Sequence, residues 1–97
     1  MKGTYDYIIE KGNQILMAKV ILDDGYYRYR VQTGLFRVYD NALNLQIRLL
    51  IEGYRADIFR QGELYAVQVG DFSSLDEAVV LEQLLRRSGY NTLLVAV

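Results

Sequence analysis

The sequence predicts an α+β fold ordered β-α-β-β-α-β. It would be a four-stranded antiparallel sheet with two helices on one face, preceded by an N-terminal β-hairpin extension. Three observations predict it. Shifting the chain by 36 positions aligns residues 29–60 with 65–96, and 11 of those 32 positions are identical. Random pairing at ordinary residue frequencies would give about two. Each copy passes from period-two alternation to a helical apolar stripe and back to a short apolar strand. The chain has 97 residues and is 52% hydrophobic, enough for one core and too short for two.

The extension spans residues 1–28. Thr4 to Glu10 and Ile15 to Leu22 read as strands joined at Lys11-Gly12-Asn13, and Asp23-Asp24-Gly25-Tyr26 is a turn into the repeat. Ile15 to Leu22 is apolar at almost every position, so it reads as a strand covered on both faces or as a short helix. The repeated domain, 29–97, opens with Tyr29, Val31 and Thr33 alternating with Arg30 and Gln32. Gly34 permits a sharp exit from that strand. Asp40 is read as the first helix cap, Ala42, Leu45 and Leu49 form its inward stripe, and Gly53 ends it. Tyr54 to Phe59 is a closing strand and Gln61-Gly62-Glu63 a turn. The second copy repeats the plan. Tyr65, Val67 and Val69 alternate with Ala66 and Gln68, and Gly70 follows. Ser74-Leu-Asp-Glu77 reads as a capping box, with Ala78, Leu81 and Leu85 inward. Arg86 and Arg87 suit the negative helix end, Gly89 the left-handed C′ position, and Tyr90 to Val95 closes the sheet.

This order gives the ferredoxin/RNP-like arrangement, in which the first strand of each unit lies at the sheet centre. Gln32 and Gln68 then sit on adjacent strands near a pseudo-twofold axis. Strand parity puts Tyr29, Val31, Tyr65 and Val67 under the helices. It puts Arg30, Gln32, Arg55, Asp57, Phe59, Leu64, Ala66, Gln68, Asn91 and Leu93 on the open face. Phe36 and Phe72 plug the core beside the helices.

Composition excludes several functions. Cysteine and histidine are both absent, which removes disulfides, zinc fingers and Cys- or His-based catalysis. The formal charge is −1, so no strong field favours nucleic acid or an anionic membrane. No apolar run approaches the ~20 residues of a membrane span. The opening Met-Lys-Gly-Thr-Tyr-Asp-Tyr has no signal-peptide pattern. An acylphosphatase-like enzyme of this topology would need a glycine-rich anion cradle, which Leu35-Phe36-Arg37 does not form. An RNA-binding module would stack bases on central-strand aromatics, whereas parity turns Tyr29 and Tyr65 toward the helices.

The pattern Val-Gln-x-Gly-x-Phe, then Ala-x-x-Leu-x-x-x-Leu, then Gly-Tyr, present in both copies, resembles the SPOR (sporulation-related repeat) domain over residues 29–96. The resemblance implies a non-catalytic module that binds bacterial peptidoglycan, preferring glycan strands stripped of stem peptides. It also implies a role in bringing a wall hydrolase (an N-acetylmuramoyl-L-alanine amidase or endolysin) or a division or sporulation protein to the wall or septum. Glycan would lie on the open sheet face, contacted by Gln32 with Thr33 and Leu35 beside it. Gln68 and Asp71 would be their counterparts in the second copy. The chemistry suits such a ligand. A glutamine both donates to and accepts from hydroxyls and N-acetyl amides. Arg30 and Arg55 could pair with lactyl carboxylates, as could Arg37, and Phe59 could stack on a pyranose.

A second reading, a protein-interaction or oligomerisation module, rests on the first helix. Leu43, Ile47 and Leu50 form a second stripe ~100° round from the first, and the extension or a homodimer partner would have to cover it. No metal or cofactor is expected, since no clustered acidic loop supplies oxygen ligands. Excess EDTA should leave the melting temperature unchanged, and a drop would reveal an oxygen-ligand site.

Overall fold

The computed structural model of the chain describes residues 28–97 in full and the backbone of residues 4–11 and 14–20. The elements run β1 (Thr4–Lys11), β2 (Gln14–Val20), β3 (Tyr29–Phe36), α1 (Tyr39–Ile51), β4 (Ala56–Gln61), β5 (Leu64–Phe72), α2 (Leu75–Arg87) and β6 (Leu93–Ala96). The two helices and the four antiparallel strands β6-β3-β5-β4 are the expected α+β architecture, with both first strands of the repeat at the centre. β1 and β2 pair with each other from Thr4↔Val20 to Lys11↔Gln14, and Gln14↔Phe36 joins β2 to β3. Gln14–Val20 is therefore a strand and not a helix. The turns expected around Gly12 and around Asp23 to Tyr26 lie outside the described residues.

The inward stripes pack as their spacing dictates. Ala42 and Leu49 of α1, and Ala78 and Leu85 of α2, are buried. Leu45 and Leu81 pack against the cluster of Val31, Phe36, Val67 and Val69. Tyr29 is fully buried. Both helices end alike. Gly53 and Gly89 take φ of 93° and 95°. Tyr54 N–H then donates to Leu49 O at 2.9 Å, and Tyr90 N–H to Leu85 O at 3.1 Å. Each is the six-to-one bond of a Schellman cap, with a tyrosine packed over the last turn. The closing strands consequently start later than read from the sequence, at Ala56 and Leu93, because the Gly-Tyr pairs belong to the caps. The helix starts also differ. Val38 and not Asp40 occupies the N-cap of α1, so Asp40 lies in the first turn, where its charge suits the helix dipole. Ser74 holds the N-cap of α2, but its hydroxyl makes no capping bond.

The largest departure is at the glycines. The strands do not exit at Gly34 and Gly70 but continue to Phe36 and Phe72. The β3–β5 register shifts once between Gln32 and Gly34 and once between Tyr29 and Val31. The first shift inserts Thr33 into β3, and the second inserts a residue into β5 beside Gly70. These are two β-bulges at matching ends of the repeat. A bulge turns the following side chains onto the other face. Phe36 can then fold back over Gly34, and Phe72 over Gly70. A Cβ on Gly34 would come within 2.5 Å of the Phe36 ring and 2.8 Å of Leu45 Cδ2. On Gly70 it would come within 2.6 Å of Phe72 and 2.8 Å of Leu81. The same phenylalanine–glycine–leucine stack thus forms twice.

Gly34→Ala should destabilise the domain by ~1–3 kcal/mol through overpacking. Gly70→Ala should cost more, because its φ of 77° adds the left-handed penalty of ~1–2 kcal/mol. Urea titration of both variants checks the order, and equal losses would dispose of the backbone contribution.

Candidate functional site

The centre of the helix-free face is a pair of glutamines. Gln32 and Gln68 are direct cross-strand partners, and Gln68 Nε2 donates to Gln32 Oε1 at 3.0 Å. They are not open-face polar groups in free contact with water. Gln32 is 4% exposed and Gln68 2%. The amide-to-amide bond is what makes that burial tolerable, since an unpaired buried carboxamide costs ~1–3 kcal/mol.

Charge enters from one side. Arg30 Nη1 donates to Gln68 Oε1 at 3.4 Å, and its guanidinium carbon lies 4.5 Å from the Phe59 ring centroid. That is cation–π range. Arg30 Nε also stands 3.9 Å from Asp71 Oδ1. Arg28 holds Asp71 more tightly, with Nε donating to Oδ1 at 2.7 Å and Nη2 to the Asp71 backbone oxygen at 3.0 Å. Arg28 donating to the carboxylate is the main reason Asp71 is held below its ordinary value, although desolvation opposes it and Arg30 adds a smaller attraction. The chain of contacts Arg28–Asp71–Arg30–Gln68–Gln32, with Phe59 beneath Arg30, is continuous across both central strands. Its far end, the Gln32 Nε2 group, faces no acceptor among the described residues. A planar cation over an aromatic ring, beside amide donors and acceptors, is suited to a ligand with hydroxyls, amides and carboxylates.

Five of the eight residues singled out from the sequence are therefore brought together: Arg30, Gln32, Phe59, Gln68 and Asp71. Three are not. Thr33 is buried in the bulge, with its hydroxyl donating to Val67 O at 3.2 Å. Leu35 lies within β3 and not in a loop. It is fully buried, in a small cluster with Ala66 and Leu64. Ala66, expected on the open face, is likewise fully buried. Arg55 stands exposed one residue before β4, with no contact to the glutamines among the described residues. Arg28 was missed because the repeat alignment begins at residue 29. Its position two residues before Arg30, on the same strand parity, is the signal that would have found it. The cover expected for Leu43, Ile47 and Leu50 is not supplied by β1 or β2, and the other residues among 1–27 lie outside the described ones. Neither β1 nor β2 comes within 8 Å of α1, Cα to Cα, and Ile47 and Leu50 are exposed. Among the described residues no group of three or more acidic side chains could hold a metal ion, and no helix is long and apolar enough to cross a membrane.

A family model described as the SPOR domain matches residues 25–96. The chain belongs to the SPOR domain family. Among solved structures it is similar to the solution structure of the peptidoglycan binding domain of the B. subtilis cell wall lytic enzyme CwlC. The identity is 31% and the TM-score 0.67, over 73% of this chain and 90% of that one. Among curated proteins, none matches. In this SPOR domain the motif glutamines are the cross-strand pair, and the motif Gly-x-Phe forms the bulge stack that sets them in register.

Because the folded Asp71 is depressed, its contribution to stability is present above the ordinary carboxylate range and is lost as pH falls through and below it. Asp71→Asn should therefore melt below the wild type at pH 7, and the gap should close toward pH 3. A gap that persists unchanged at pH 3 would mean that charge is not what the carboxylate contributes.

Proposed function

We propose that this SPOR domain binds peptidoglycan without catalysing a reaction on it, and that its ligand is the glycan strand, best when stripped of stem peptides. The observation that carries the reading is the Gln32–Gln68 pair continued into Arg30 over Phe59, in a chain of this family. Gln32 Nε2 offers donors to N-acetyl carbonyls and hydroxyls. Arg30 offers a planar fork to the lactyl carboxylates that amidase cleavage exposes. Removing stem peptides adds those carboxylates and clears the bulk that would keep a sugar from a flat sheet, which favours the stripped strand. The domain then acts as the wall-directed part of a larger assembly, a cell-wall hydrolase or a division or sporulation protein, in the cell wall or at the septum.

Co-sedimentation with purified peptidoglycan, before and after amidase digestion, tests this. The wild type should pellet more with digested walls. Arg30→Ala should weaken that binding about tenfold or more, since hydrogen bonds to charged groups are worth ~1.5–3 kcal/mol, and Arg30→Lys should restore only part. The melting curve of each variant separates binding from folding. Equal binding by wild type and Arg30→Ala to digested walls would move the site elsewhere.

A further inference from the structure

Two guanidiniums converge on one carboxylate oxygen at the edge of the candidate site. Asp71 Oδ1 accepts from Arg28 Nε at 2.7 Å and stands 3.9 Å from Arg30 Nε. Arg28 is held there from two sides. Its Nη2 donates to the Asp71 backbone oxygen at 3.0 Å, and its own backbone exchanges two hydrogen bonds with Val97. Arg30 is held more loosely, by the 3.9 Å approach to Asp71, a 3.4 Å bond to Gln68 and the face of Phe59. The group is open to a ligand, with side-chain exposures of 54% for Arg28, 49% for Asp71 and 23% for Arg30.

The three residues form one unit. Their repeat counterparts, 36 residues along or back, are Leu64, Ala66 and Leu35, so where the acid is absent both arginines are absent too. The nearby charges Arg55 and Asp57 are exposed, and no ion pair joins either to the triad among the described residues. Two arginines aimed at one point present paired donors suited to a group with several anionic oxygens, such as a phosphate. Here Asp71 Oδ1 already fills that point, and the triad sums to one positive charge. A ligand carboxylate carries one charge and can engage Arg30, the loosely held partner. A phosphate, or a polymer charged at every unit, would have to evict Asp71 or lie against it. Like charges set face to face are a means of rejecting a wrong partner.

We propose that Asp71 is a specificity-determining residue: by occupying the point between Arg28 and Arg30 it limits the site to a single carboxylate at Arg30 and excludes densely charged polyanions. This rests on the glycan-binding reading for the identity of the accepted ligand, but not for the exclusion. A glycan strand stripped of stem peptides carries well-separated single carboxylates, which such a filter admits. A polyphosphate chain presents adjacent charges, which it does not.

The test uses the full chain and two probes, long-chain inorganic polyphosphate and amidase-treated peptidoglycan. Asp71→Asn and, in a second variant, Asp71→Ala remove the acid. Glu77→Gln, in the first turn of α2 on the other side of the sheet, makes the same change of net charge and is the reference. Melting curves fix a temperature at which every form is folded. In about 50 mM salt both Asp71 variants should bind polyphosphate about fivefold or more tightly than the wild type, the effect of one unit charge at ~4 Å in water. The gain should fade as salt rises. Glu77→Gln should show none, and adding Arg28→Ala to Asp71→Asn should abolish it. The preference for digested walls over polyphosphate should fall in the same two variants. Equal polyphosphate binding by the wild type and both Asp71 variants would overturn the proposal. So would the same gain in Glu77→Gln, or a gain that survives Arg28→Ala, because neither would come from the paired arginines. A gain for polyphosphate with no wall binding by any form would leave the role of Asp71 established and refute the glycan ligand.

Discussion

The pairing of β3 with β5 is the constraint on which the rest of the structure depends. These two strands come from equivalent positions in the repeat, so their antiparallel contact is where the pseudo-twofold axis must lie. At that axis a residue faces its own counterpart. Glutamine is one of few side chains that can do this while buried, because its amide both donates and accepts. A like-charged pair would repel across the ~5 Å between facing Cβ atoms. A Leu–Leu pair would be stable but would leave nothing for a polar ligand. The two bulges then matter because they frame this pair. Each turns the following phenylalanine back onto a glycine under a helix leucine, which locks helix, strand and register together. Register is a one-residue decision, and a slip would exchange the two faces.

Repetition fixes the scaffold, and its violation sets the candidate site apart. The elements shared by both halves are those that hold the fold: the alanine and leucines of each inner helix stripe, the Schellman glycines with their tyrosines, and the Phe-Gly-Leu stacks. The elements that differ are on the helix-free face, where Arg28, Arg30 and Asp71 stand against Leu64, Ala66 and Leu35. α1 and α2 differ too. Ile47, Leu50 and Ile51 are exposed on α1 where α2 has Gln83, Arg86 and Arg87. The sheet covers the shared stripe of each helix and not this one.

Much of the scaffold was legible because the repeat doubles every signal. A single Gly-Tyr after a helical stripe is weak, but two at the same offset identify both caps. Alternation placed Val31 and Val67 in the core and Gln32 beside Gln68. What failed is equally specific. Parity counting assumes a regular strand, and Thr33 breaks it. Leu35 therefore became a buried strand residue where the pattern had suggested a loop contact. Capping by Asp40 failed because helix starts are set by backbone geometry at Val38 and not by the nearest acidic residue. The burial of the glutamines was not legible either. Alternation reports which face a residue is on, and it is silent on how deeply that residue is buried there.

That silence has a physical origin which bears on what the site can do. Burial of a polar pair strengthens its hydrogen bond and raises the cost of leaving either partner unsatisfied. Gln68 gives its carbonyl to Arg30 and its amide to Gln32, so a ligand that displaced it would have to replace both contacts. Gln32 is different, because its amide protons remain available and its carbonyl is already engaged. The pair is symmetric in sequence and directional in its hydrogen bonding. The direction runs from the Arg28–Asp71 ion pair through Arg30 and Gln68 to Gln32. A ligand acceptor at Gln32 and a ligand carboxylate at Arg30 would therefore meet two different points of one polarised chain. A glycan strand, which also has a direction and carries amides and carboxylates at fixed intervals, would be read in one orientation by such an array.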